Sequence, residues 1–123
     1  MTGTEYQRLV MRTNDGKATE RLVSAVFPEG ANIGGILNGC LGLSGEVGEF
    51  NDMLKKCIFH EKTLDIDHAK KELGDVLWYI AMICFSFGWD MDEVMQMNID
   101  KLKARYPDGF SVEQALYRAE NDV

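Results

Sequence analysis

Between Ile33 and about Phe59, apolar residues return in steps of four and three: Ile36, Cys40, Leu43, Val47, Phe50 and Leu54. That is the period of an amphipathic helix, and a run of this length makes a rod of about 40 Å at 1.5 Å per residue. A second stripe follows at Leu73, Val76 or Leu77, Ile80, and Ile83 or Cys84. Asp65 or Asp67 is placed to cap that helix, which reaches about Phe87, and Gly88 is placed to end it. No segment alternates with period two. The expected fold class is all-α, a helical bundle formed by one domain over 1–123.

Shorter elements flank the rods. Residues 4–13 read as a first helix with Tyr6, Leu9 and Val10 on one side, and residues 18–27 as one or two further turns. Asn14 to Lys17 and Phe27 to Asn32 are breaks, and Asn32 is a plausible N-cap for the first rod. Asp90 or Asp92 opens a third long helix to about Tyr106, where Pro107 stops it. Ser111 to Gln114 is a capping-box pattern that opens a final short helix.

The first rod carries an oddity. Gly39, Gly42, Gly45 and Gly48 recur every three residues, after Gly34 and Gly35. Each weakens a helix interior by about 1 kcal/mol relative to alanine. Gly35, Gly39, Gly42, Glu46, Glu49, Met53 and Lys56 fall at steps of three and four, on one continuous stripe. Small side chains there leave room either for a ligand or for a closely packed helix.

The second rod repeats the acidic design. His68, Glu72, Asp75, Tyr79, Met82 and Ser86 share a stripe, with Glu72 and Asp75 one turn apart in the apolar surround LGDVLWYIAMI. Packed antiparallel, the rods bring four carboxylates together. Two like charges about 4 Å apart repel by roughly 4 kcal/mol at an effective dielectric near 20, so such a group calls for cations. An oxygen-only donor set suits Mg²⁺, with Mn²⁺ as a substitute. A single ExxE or ExxD is ordinarily a solvated face; two in succession, each aligned with apolar residues, are rarer.

The third helix places Asn98, Lys101 and Arg105 on one face. This is either an exposed basic stripe paired with Asp100 and Glu93 or a phosphate clamp of point charge, fork and amide. Tyr79 is core or faces a nucleoside; Trp78, Trp89, Met82, Met91, Met95 and Met97 read as packing residues. His68 either supports Glu72 from one turn away or sits exposed near a helix start.

A net charge of −7 argues against a broad nucleic-acid face, since such binding neutralises phosphates with Lys and Arg. The longest apolar run, Val76 to Phe85, is too short for a membrane span. Cys40, Cys57 and Cys84 are odd in number and lie in apolar segments, so buried free thiols and a cytoplasmic setting are expected.

Taken together, GLSGEVGEF, KELGDVLWYI and NIDKLKARYPDGF resemble the MazG-type all-α nucleoside triphosphate pyrophosphohydrolases, whose signature is ExxE, a gap, then ExxD. The opening EYQRLVMRTND is similar to that of short phage and bacterial members, so the resemblance covers nearly the whole chain. It implies Mg²⁺ held by Glu46, Glu49, Glu72 and Asp75. It implies cleavage of a nucleoside triphosphate between the α and β phosphates, with nucleotide-pool house-cleaning as the role. Asn98 and Lys101 match phosphate-binding positions, as does Arg105 more loosely, and Tyr79 matches a nucleoside-facing one. Glu49 is the expected general base. Gly39 and Gly42 would then keep the face beside the metals open for ribose and base, or admit a partner helix. On the first of these readings, Gly42→Leu removes activity and leaves the fold.

Leu37, Leu41 and Ile58 lie off the main stripe, which with the resemblance points to a homodimer or homotetramer. Three other readings compete. A specialised relative, such as a dimeric-type dUTPase or a phosphoribosyl-ATP pyrophosphatase, shares the carboxylate pattern. A di-iron bundle wants ExxH on two helices and is disfavoured. A non-catalytic interaction domain would have lost a carboxylate or Lys101, and none is lost.

Overall fold

The computed structural model describes residues 1–116, and every regular element among them is helical. In order they are α1 (Gly3–Val10) with a 3₁₀ turn (Met11–Thr13), α2 (Ala18–Ser24), α3 (Ile33–Phe59), α4 (Ile66–Phe87), α5 (Met91–Arg105) and α6 (Val112–Leu116). The all-α expectation holds. The single-domain expectation over 1–123 reaches past the described residues at its C-terminal end.

Local chemistry sets the ends. Thr2 and Glu5 close a reciprocal capping box on α1. The Asn32 side chain accepts the Gly35 N–H at 3.1 Å, and the Asp65 side chain accepts the His68 N–H at 3.0 Å. Asp90 does the same for Asp92 at 3.0 Å. Gly88 ends α4 at φ 77°, a left-handed conformation that suits glycine. Ser111 accepts the Gln114 N–H at 3.3 Å, opening α6 as expected.

The dominant tertiary contact is the antiparallel hairpin of α3 and α4. Its packing face is the glycine stripe. A Cβ on Gly42 would collide with one edge of the Tyr79 ring, one on Gly39 would stand 2.6 Å from Ile83 Cγ1, and one on Gly35 would collide with the Ser86 hydroxyl. The far end is tied by the Asn32 N–H to the Ser86 carbonyl at 2.8 Å. Of the two readings of Gly39 and Gly42, close helix packing is what is seen; the space in front of them is filled by Tyr79 and Ile83, not held open.

Some burial expectations are overturned, while the exposure expected of Leu37, Leu41 and Ile58 is seen. On the apolar stripe of α3, Ile36 is buried, but Val47 is exposed and so are Leu37, Leu41 and Ile58 beside it. Cys84 is buried and Cys57 half-buried, whereas Cys40 is exposed; all three are free thiols. Met95 and Met97 are exposed, as are Trp78 and Trp89, although Trp89 stacks on Phe87 with centroids 4.0 Å apart. The common reason is that α5 has no packing on the hairpin comparable to that between α3 and α4. No helix among the described residues is long and apolar enough to cross a membrane.

Candidate metal centre

The antiparallel register that sets Gly42 against Tyr79 sets Glu46 against Glu72 and Asp75. One carboxylate oxygen from each of these three lies within 4.8 Å of the other two. Glu46 Oε2 and Glu72 Oε2 are buried without any hydrogen-bond donor, and the Glu72 side chain is only 13% exposed. Carboxylates have no proton to offer one another when ionised, so facing carboxyls need either a shared proton or a cation.

Without metal the pair shares one proton below about pH 7, with Glu46 the raised member. The Glu72 carboxyl against it, then burial, then the charges of Glu49, Glu72 and Asp75 push Glu46 up to about 7. Glu72 is held below the usual carboxylate range by the same contact with Glu46 and by Glu49 and His68, with burial acting the other way. The opposite directions describe one coupled titration of the pair. The residues present fit a hard divalent cation: an all-oxygen donor set, clustered, with two buried oxygens that lack donors.

Glu49 stands outside the tight group of three, exposed on the next turn, close enough to Glu72 to influence it. His68 satisfies both sequence alternatives. It is exposed, and its Nε2 donates to Glu72 Oε1 at 3.0 Å.

Two cavities flank the carboxylates. One of about 310 Å³ is lined by Glu46, Asp75, Trp78 and Tyr79. The indole of Trp78 is 58% exposed and meets Tyr79 edge-on, with centroids 4.9 Å apart. Trp78 reads as a packing residue in the sequence; its position beside Tyr79 and three residues past Asp75 is the signal that places it here. The other cavity, about 400 Å³, lies at the α3–α4 connection and includes Glu49, Asp52, Lys56, Lys62, His68 and Glu72.

Asn98 and Lys101 are exposed on α5, and no hydrogen bond or ion pair joins either to the carboxylates among the described residues. Asp100 accepts from Gln96 at 2.9 Å. The Arg105 guanidinium lies 6.0 Å from the Tyr106 ring centroid.

Comparison with known proteins bears on this geometry. The family model of the MazG nucleotide pyrophosphohydrolase domain matches residues 37–110, which include all four carboxylates and the cationic face of α5. The Gene 37 protein of Mycobacterium phage L5 is 33% identical over 90 residues, covering 67% of this chain and 78% of that one. No solved structure matches.

Proposed function

The chain belongs to the MazG nucleotide pyrophosphohydrolase family, and from that premise we propose that it hydrolyses (deoxy)nucleoside triphosphates between the α and β phosphates. The products are a nucleoside monophosphate and pyrophosphate, and the role is clearing the nucleotide pool. The observation that carries this reading is the facing Glu46–Glu72 pair with Asp75 beside it, buried oxygens that lack donors and ask for a cation.

Glu46, Glu72 and Asp75 would hold Mg²⁺, with Mn²⁺ as a substitute, and Glu49 borders them. Such a cation supplies Lewis acidity toward the phosphoryl oxygens. Glu49, outside the tight group and at the edge of the larger cavity, takes the proton of the attacking water. Trp78 and Tyr79 offer ring faces and edges to the base. Asn98 and Lys101, with Arg105 beyond them, meet the phosphates from α5.

That last role requires assembly. The chain exposes 10247 Å². A folded monomer of 13.9 kDa exposes about 6,700 Å² by the usual scaling. The excess of about 3,500 Å² per chain is more than the ~1,000–2,500 Å² that one obligate interface covers on each partner. We read the exposed faces of α3, α4 and α5 as those of a homodimer or homotetramer that brings α5 over a hairpin. Sedimentation velocity is expected to give a dimeric or tetrameric mass; a 13.9 kDa species overturns this part.

Product analysis tests the reaction. Purified protein with Mg²⁺ and a panel of normal and modified (d)NTPs is expected to give monophosphate and pyrophosphate. Diphosphate and phosphate, or no turnover of any member, overturns the reading.

A further inference from the structure

One contact of the acidic centre leads out of the buried group. Among the described residues, His68 Nε2 is the donor that reaches a carboxylate of the three, at 3.0 Å from Glu72 Oε1. An ionised carboxylate only accepts, so Nε2 carries the proton, as the neutral Nε2–H tautomer or as the imidazolium. The other oxygen, Glu72 Oε2, is buried and has no donor. The two oxygens of one side chain are therefore committed to different neighbours. The backbone of His68 is held as well, because its N–H donates to the Asp65 cap at 3.0 Å. The imidazole is thereby set on the first turn of α4, one turn before Glu72.

An imidazole and a carboxylate four residues apart on a helix ordinarily make a solvated pair. Two observations separate this one. The His68 side chain is 58% exposed and that of Glu72 13%, so the contact runs from solvent to a buried carboxylate. Its order is also the poorer one for helix stability, with the basic residue toward the N-terminus and the acidic residue one turn on. The terminal torsion of a glutamate is broad, so an unrestrained carboxylate can present either oxygen or both. We infer that His68 is the positioning residue of the acidic centre: it holds Glu72 by Oε1, fixes the turn of that carboxylate and leaves Oε2 to the cation. The inference rests on the reading of Glu46, Glu72 and Asp75 as cation ligands.

Isothermal titration of Mn²⁺ into the full chain at pH 8, with no nucleotide present, tests this. His68→Ala is expected to weaken Mn²⁺ binding about 10- to 100-fold, as loss of the partner of a ligating carboxylate does. His68→Gln places an amide nitrogen the same number of bonds from the backbone as Nε2 and recovers most of the loss. His68→Asn, one bond shorter, recovers little. Ni²⁺ affinity falls in His68→Ala by the same factor as Mn²⁺ affinity, because the imidazole acts on the carboxylate and is not itself a ligand. A much larger fall for Ni²⁺, which favours imidazole donors, makes His68 a direct ligand and overturns the inference. Wild-type Mn²⁺ affinity in His68→Ala, or equal affinities in the Gln and Asn variants, overturns it as well. Failure of the metal-centre reading shows differently, as absence of Mn²⁺ binding by wild type, and the inference falls with it.

Discussion

Replacing Glu46 with Gln is expected to abolish turnover and, in chelator at pH 8, to raise the melting temperature. Both effects come from one facing pair. A metal ligand lost at the reacting phosphates removes about 4 kcal/mol of transition-state stabilisation, about a thousandfold in kcat/KM. The stability change follows from the proton. Glu46 titrates at about 7 in the folded chain and near 4.5 when unfolded. Between those values the folded state binds more protons, so the metal-free protein loses stability as pH rises from about 4.5 to 7 and stays at the lower level above it. Glu72 acts in a separate window. Its depressed value gives stability that is present above its unfolded value of 4.5 and lost as pH falls through its folded one. Glutamine at 46 removes the penalty above pH 7. Mn²⁺ then reverses the order, because only the wild type gains stability from a ligand bound to the native state. For the same reason Mn²⁺ affinity of the wild type falls as pH drops below about 7, the proton on Glu46 competing with the cation. Differential scanning fluorimetry with chelator and with Mn²⁺ reads all of this; a destabilised metal-free Glu46→Gln removes the facing-pair account.

The second large effect is Gly42→Leu, which is expected to cost about 3 kcal/mol or more in urea unfolding, at the upper end for overpacking. Set against a total of roughly 5–15 kcal/mol, that endangers the fold itself. The outcome differs from loss of activity with the fold intact, because the volume beside Gly42 belongs to the Tyr79 ring. Gly39→Ala meets Ile83 and the Tyr79 carbonyl and should also lose stability, despite a helix-propensity gain of about 1 kcal/mol. Gly48→Ala is the contrast, with nothing within 4 Å of its Cβ in the chain, and should gain about 1 kcal/mol. Equal responses at 42 and 48 would contradict the packing described.

Comparing these glycines shows how far the sequence carries. Helix ends were legible because they are local: Asn32, Asp65, Asp90 and Gly88 each satisfy backbone groups within a few residues. The acidic stripes were legible because helical spacing alone puts Glu46 beside Glu49 and Glu72 beside Asp75. In the sequence the packing face stays open between two readings of the glycine stripe. Periodicity marked Ile36, Cys40, Leu43 and Val47, but the helices meet on Gly35, Gly39 and Gly42. An apolar stripe records that a face avoids water, not which surface covers it, so Cys40, Met95, Met97 and Trp78 were placed inside and are exposed in the chain.

The hairpin is closed at one end by the α3–α4 connection, at the other by the Asn32–Ser86 bond, and at its middle by glycine against tyrosine. These ties hold the two backbones together along the hairpin and limit how far apart the Cα atoms of Glu46, Glu72 and Asp75 can move. A ligand set held in this way is a caliper for ionic radius. Mg²⁺ bonds oxygen at 2.0–2.1 Å, and Ca²⁺ needs 2.3–2.6 Å and more ligands. Exclusion of Ca²⁺ would then be a property of three missing methyl groups on α3, and Gly39→Ala, by prying the jaws apart, should narrow the gap between the two ions in a competition for Mn²⁺.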